Sequence, residues 1–233
     1  MKTKILSLIL LALFFQKNTA AQDINIVVGN TRTKIEKVKD YEATGKMKTN
    51  VSFLKIPIAT IKLYYKNLNK FKLISEKGLS FVPKGSMSIN LNNIFTGNNF
   101  TIIDAGFDNI DKTTVRVAKL LPNDENSDLV LTTLYIDPIN FLILKSKTTT
   151  KENGTYELKM KYKKYSIYGL PDEILFSFNA KDYKLPKGIT FDFDDGTSNK
   201  QTASKSEKAK KGVVEILLSK YSINHGLNDT IFQ

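Results

Sequence analysis

The stretch from Leu129 to Ala180 limits this chain more than any other, because most of it alternates between apolar and polar residues. Leu129-Val-Leu-Thr-Thr-Leu-Tyr-Ile-Asp137 is one such run, stopped by Pro138, and Asn140 to Thr150 is the next. Asn153-Gly154 then accepts the positive φ angles that a tight hairpin demands. In the run from Tyr156 to Tyr165, Tyr156, Leu158, Met160 and Tyr162 share one face, and Glu157, Lys159, Lys161 and Lys163 share the other. Leu170-Pro171 breaks the pattern, and Glu173 to Ala180 resumes it with Ile174, Phe176 and Phe178 on one side. A period of two in β-branched and aromatic residues marks half-buried antiparallel strands. Four of them with short connections predict a meander with one apolar face and one lysine-coated face. Something must cover the apolar face.

The cover is found near the start of the chain. From Asp23 to Tyr41, the residues Ile24, Val28, Thr31, Ile35 and Val38 recur at helical spacing and form one narrow apolar stripe. Gly29 weakens this helix by about 1 kcal/mol relative to alanine. From Glu42 the period becomes two, predicting strands over 45–55, 58–66 and 70–75, with Pro57 at a strand start, an edge or a bulge. Residues 78–109 are less regular, and short strands are expected at 79–82 and 100–104, joined by a mobile loop. Further strands are expected at 113–121, 188–193 and 213–219. Between the last two, Asp194 to Gly212 contains no large apolar residue and is rich in Lys, Ser, Asp and Thr, so it reads as an exposed or disordered loop.

The first residues read as an address label. Lys2 and Lys4 precede an apolar run from Ile5 to Phe15, and Thr19-Ala20-Ala21 is a small-residue cleavage site before Gln22. The run is too short to span a bilayer, which needs about 20 residues. Residues 1–21 are therefore expected to be a signal peptide, and residues 22–233 a single domain. With no cysteine in the chain, neither a thioether lipid anchor nor a disulfide is available, so the exported protein must stand on its core.

The formal net charge is +12, and Arg32 and Arg116 are the only arginines. A nucleic-acid binder clusters arginine for bidentate contacts, so no nucleic-acid partner is expected. Lysines spread along strands deter edge-to-edge pairing and attract anionic lipid headgroups.

The sequence offers no chemistry of catalysis. His225 is the sole histidine, in the turn-like Asn224-His-Gly, and there is no thiol, no Gly-x-Ser-x-Gly elbow and no phosphate-cradling glycine loop. Asp192-Phe-Asp-Asp-Gly196 fails as a calcium loop, because its glycine comes one residue early and Ala203 stands where the closing glutamate belongs. No enzyme activity, cofactor or metal site is expected.

The order of the pieces resembles the LolA-like family of periplasmic lipoprotein carriers. The resemblance covers most of residues 22–233. It is carried by Phe53-Leu-Lys-Ile-Pro57, Leu63-Tyr-Tyr-Lys-Asn67 and Lys70-Phe-Lys72, then the meander ending in Tyr168-Gly-Leu-Pro171. Tyr221-Ser-Ile-Asn224, Gly226 and Asp229-Thr-Ile-Phe232 complete it. It implies a mainly β fold, a single curved antiparallel sheet or incomplete β-barrel around the N-terminal helix, that shields acyl chains of lipoprotein or lipid in the periplasm. A monomer is expected. Alternation then places Leu158, Met160, Phe176 and Phe178 on the concave side as a lipid site, with Ile35 and Val38 of the helix. Leu63, Tyr65, Leu134 and Ile136 join them, although both faces of their strands carry apolar groups and alternation leaves their register open. Two other readings stand beside the carrier: a LolA-like sensor or binding module, and a secreted structural β-protein without ligand.

Overall fold

The computed structural model describes residues 22–51, 54–55, 58–67, 70–75, 99–152, 154–179 and 211–233. Helix α1 (Ile24–Glu36) is followed by β1 (Asp40–Val51), the two-residue β2 (Leu54–Lys55), β3 (Ala59–Lys66) and β4 (Lys70–Ser75). Then come β5 (Phe100–Ile110), β6 (Thr113–Pro122), β7 (Leu129–Asp137), β8 (Leu142–Thr150), β9 (Gly154–Lys161), β10 (Glu173–Asn179) and β11 (Lys211–Ile223). They form one antiparallel sheet in the order β4-β3-β1-β11-β10-β9-β8-β7-β6-β5, with β2 paired to β1 off this path. Sequence neighbours pair at every step from β5 to β11, so the expected meander lies inside a longer one. The sheet curves around α1 without closing, and β4 and β5 are its two ends.

Directly paired residues share a face, so register decides which side chains meet the helix. Leu63 pairs with Ala43, Ala43 with Tyr221, and Ile216 with Ile174. Ile174 pairs with Met160 and Phe176 with Leu158; Leu134 pairs with Ala118 two strands further on. The result is one continuous apolar cluster across the sheet, to which α1 adds Ile24, Val27, Val28 and Ile35. The helix starts where Asp23 accepts the amide of Asn25 at 2.8 Å. At 13 residues it would be marginal alone in water, and its buried face is what keeps it folded. Each fully buried valine or isoleucine contributes about 1.5–3 kcal/mol to that hold. Tyrosines close one end of the core: Tyr41 and Tyr65 lie 5.3 Å apart between ring centres, and Tyr165 and Tyr221 4.8 Å apart. Burial pushes the phenols of Tyr41 and Tyr221 well up from their ordinary range.

Several boundaries differ from the sequence reading. The helix ends at Glu36 rather than Tyr41, because Asn224, from the far end of the chain, captures the amide of Lys39 at 2.7 Å and the chain turns into β1. Strand β5 runs to Ile110 instead of stopping at Asp104. A bulge between Asp104 and Phe107 hides the period; there Asp104 Oδ1 accepts from the amide of Gly106, whose φ is +80°. Strand β9 stops at Lys161 rather than Tyr165, where the Asp172 carboxylate accepts the Lys163 amide at 2.7 Å. Strand β11 continues to Ile223 past an irregularity opposite Thr44 and Gly45. It also begins at Lys211, so the last two residues of the expected polar loop belong to the sheet. The signal peptide, Pro57, the expected strands at 79–82 and 188–193 and the rest of that loop lie outside the described residues.

Candidate functional site

All ten residues expected at the lipid site are buried and belong to the same apolar cluster. Leu63 and Tyr65 come from β3, Leu134 and Ile136 from β7, Leu158 and Met160 from β9, and Phe176 and Phe178 from β10. Ile35 lies in the last turn of α1 and Val38 just beyond it. The rings of Phe176 and Phe178 are 5.3 Å apart, and Tyr156 packs on Phe176 at 5.6 Å. Leu158 is 1% exposed. These side chains pack against one another and the helix, and the nearby openings lie beside α1.

Among the described residues, two openings flank α1 and border the cluster. A cleft of about 220 Å³ lies between α1 and the β5–β6 end of the sheet. Asn25, Val28, Gly29 and Arg32 line it from the helix, and Asn99, Phe100, Ile102 and Leu120 from the sheet side. Val28 and Leu120 are members of the core cluster, so the floor of the cleft is the core itself. Gly29 leaves it open: a Cβ there would meet nothing within 4 Å. At the rim Arg32 pairs with Glu36 at 2.7 Å on the helix surface. A larger pocket, about 470 Å³, lies at the other end of α1, between Lys34, the β5–β6 and β7–β8 turns and the start of the β9–β10 connection. Met160 lines it, with Asp111, Asp137 and Lys161. Lys34 is held below its ordinary pKa mainly by burial, against the pull of Asp137, and its ammonium donates to the Asn140 carbonyl at 2.6 Å.

Of the ten residues expected at the lipid site, Met160 lines the second pocket and none lines the cleft. The missed signal was Gly29 beside Val28, a helical glycine on the edge of the apolar stripe. Also missed was Arg116, which pairs with Ile136 in the ladder and so sits on the core face. Its Nη2 donates to Asp104 at 2.6 Å, its guanidinium stacks 4.5 Å from the centre of Phe107, and its Nε is buried without a partner. His225 is exposed, and only its backbone amide is engaged, by Asp40 at 2.9 Å. Among the described residues no group of three histidines, cysteines or acids could hold a metal. No helix of the described residues is long and apolar enough to cross a membrane.

The geometry defines an open, helix-filled β half-barrel whose concave face is apolar. Solved structures share this architecture. A putative outer membrane lipoprotein-sorting protein domain from Vibrio parahaemolyticus matches 89% of this chain and 94% of its own, with a TM-score of 0.56 and 11% identity. A LolA superfamily protein from Nitrosomonas europaea matches 88% and 97%, with a TM-score of 0.55 and 13% identity. A DUF1329 family protein from Desulfovibrio piger matches 91% and 98%, with a TM-score of 0.55 and 11% identity. At such identities the likeness is one of fold, and at that level the LolA-like resemblance read from the sequence holds. No family model matches the chain, and no curated protein matches it in sequence.

Proposed function

We propose that the protein is an exported, non-enzymatic carrier that takes acyl chains of lipoprotein or lipid between α1 and the concave face of the sheet. The observation that carries this reading is the cleft beside Gly29, whose floor is continuous with the apolar core. Each methylene withdrawn from water is worth about 0.8 kcal/mol, so a tail burying ten methylenes gains about 8 kcal/mol. That gain is of the same order as the hold on α1, which is anchored by one stripe of five buried residues. Phe100, Ile102 and Leu120 would meet the entering tail, and the cluster of Leu158, Met160, Phe176 and Phe178 would receive it once the helix shifts. The fold shared with lipoprotein-sorting structures supports the same reading. The basic N-terminal segment with its apolar run and Thr19-Ala20-Ala21 supports export to the periplasm.

Solvent extraction of the purified protein followed by mass spectrometry tests the proposal. A stoichiometric co-purifying lipid or acylated peptide is the expected result. An interior that yields no lipid, and a protein that takes up no fatty acid when offered one, would instead support a structural protein.

A further inference from the structure

The turns at one end of the half-barrel carry apolar side chains that the fold does not use. Ile139 is 84% exposed, Ile167 is 68% exposed, and Tyr168 beside it is also exposed. Single exposed apolar residues are ordinary on a protein surface. These are different because they are held out rigidly on two neighbouring turns. The Asp137 carboxylate fixes the β7–β8 turn: its Oδ1 accepts the amides of Ile139 and Asn140 at 2.9 and 3.1 Å, and its Oδ2 accepts the Asn140 side chain at 2.7 Å. Ile167 sits in a 3-10 turn, Ser166–Tyr168, closed by Gly169 at φ +68°. Both turns line the pocket under the end of α1. Lys34 ties the helix to the first turn, and the Ile35 side chain lies against Gly169 of the second.

Charge surrounds these tips. Lys163 and Lys164 lead directly into the Ile167 turn, and Lys37 and Lys112 lie at the same end, after α1 and in the β5–β6 turn. All four are exposed, and no described carboxylate lies within ion-pairing distance of Lys163 or Lys164. Of the acids at this end, Asp137 and Asp172 are occupied by backbone amides, Asp229 by Lys66 and Lys70, and Glu173 by Lys161, while Asp111 is exposed in the β5–β6 turn beside Lys112.

We propose that this end of the half-barrel docks on an anionic phospholipid bilayer, Ile139 and Ile167 entering the interface and Lys163 and Lys164 meeting the headgroups. Apolar insertion and basic attraction together are what reversible surface anchoring requires. The inference rests on the carrier reading only in taking a bilayer as the place where cargo changes hands. Acyl-chain uptake is measured separately below, so failure of one leaves the other standing.

The test is co-sedimentation with vesicles of phosphatidylcholine alone or mixed with phosphatidylglycerol, using the purified protein at low and high salt. Binding to the mixed vesicles, weakened by salt, is expected. The double variants Ile139→Asn with Ile167→Asn, and Lys163→Glu with Lys164→Glu, should each weaken binding about tenfold. The same charge change on the opposite face of β1, Lys46→Glu with Lys48→Glu, should change it less than about twofold if docking is local. Because every substituted side chain is exposed, thermal melting should confirm folded protein throughout. Unchanged binding in the isoleucine variant, or an equal loss in the Lys46 and Lys48 control, would overturn the proposal. So would a dimer in sedimentation velocity that the isoleucine substitutions dissolve, since the patch would then belong to a second copy of the chain.

Discussion

Asn224 and Asp40 hold each other's backbone across the junction of the last and first strands. The Asn224 amide donates to the Asp40 carbonyl at 2.9 Å, and the Asn224 side-chain oxygen accepts from Lys39 at 2.7 Å. In return the Asp40 carboxylate accepts the amides of His225 and Gly226. This lock stops α1 and starts β1, and it places β11 between β1 and β10. Asn224 also bridges to the Lys37 carbonyl at 3.1 Å, and it adopts a φ of +58° that few residues accept.

Replacing Asn224 separates the two effects. Asn224→Gly keeps the backbone conformation and removes the side-chain bonds, and should cost about 1–2 kcal/mol. Asn224→Ala adds left-handed strain and should cost about 1 kcal/mol more. Urea unfolding checks both; equal losses would show that the backbone conformation is not strained.

The pair of Arg116 and Asp104 predicts an asymmetry. Arg116 is almost wholly buried while Asp104 is about half exposed. Asp104→Ala leaves a buried guanidinium without its carboxylate and should cost about 2–3 kcal/mol. Arg116→Met, of similar length and apolar, should stay within about 1 kcal/mol of the parent or exceed it. Urea midpoints in the reverse order would refute this account of the pair.

What the sequence made legible is the part governed by alternation. The strands around residues 129–179 emerge nearly as read, and Leu158, Met160, Phe176 and Phe178 lie together because a period of two leaves each strand only two faces. Elements set by distant contacts were not legible. Nothing near Glu36 announces that Asn224 will end the helix, and Asp104-Ala-Gly-Phe107 breaks the period locally although β5 continues through its bulge. Nothing in the sequence marked Arg116 for burial, since that depends on Asp104 and Phe107 across the hairpin. The cleft depends on a side chain that Gly29 lacks.

Acid should loosen the C-terminal turn, Asp229–Phe232. Hydrogen bonds from Lys66 and Lys70, at 2.7 and 2.9 Å, hold the Asp229 carboxyl down to about 2, below its ordinary value of 3.8. A folded-state pKa below the unfolded one stabilises the docked turn above about pH 4, and that contribution disappears as pH falls toward 2. Amide exchange at Ile231 and Gln233 should therefore accelerate over that window. In Asp229→Asn it should already be fast at neutral pH and no longer show that step; an identical step in the variant would assign it to another group.

The central claim is that acyl chains enter beside Gly29, and titration with a dansyl-labelled fatty acid tests it most directly. Gly29→Ala should stabilise the helix by about 0.5–1 kcal/mol and leave binding intact, because a methyl group meets open space there. Gly29→Trp should fill the cleft of about 220 Å³ in a folded protein. The account predicts saturable binding in the parent and in Gly29→Ala, and its loss in Gly29→Trp with the melting temperature little changed. Undiminished binding by folded Gly29→Trp, or no binding by the parent after delipidation, would contradict it.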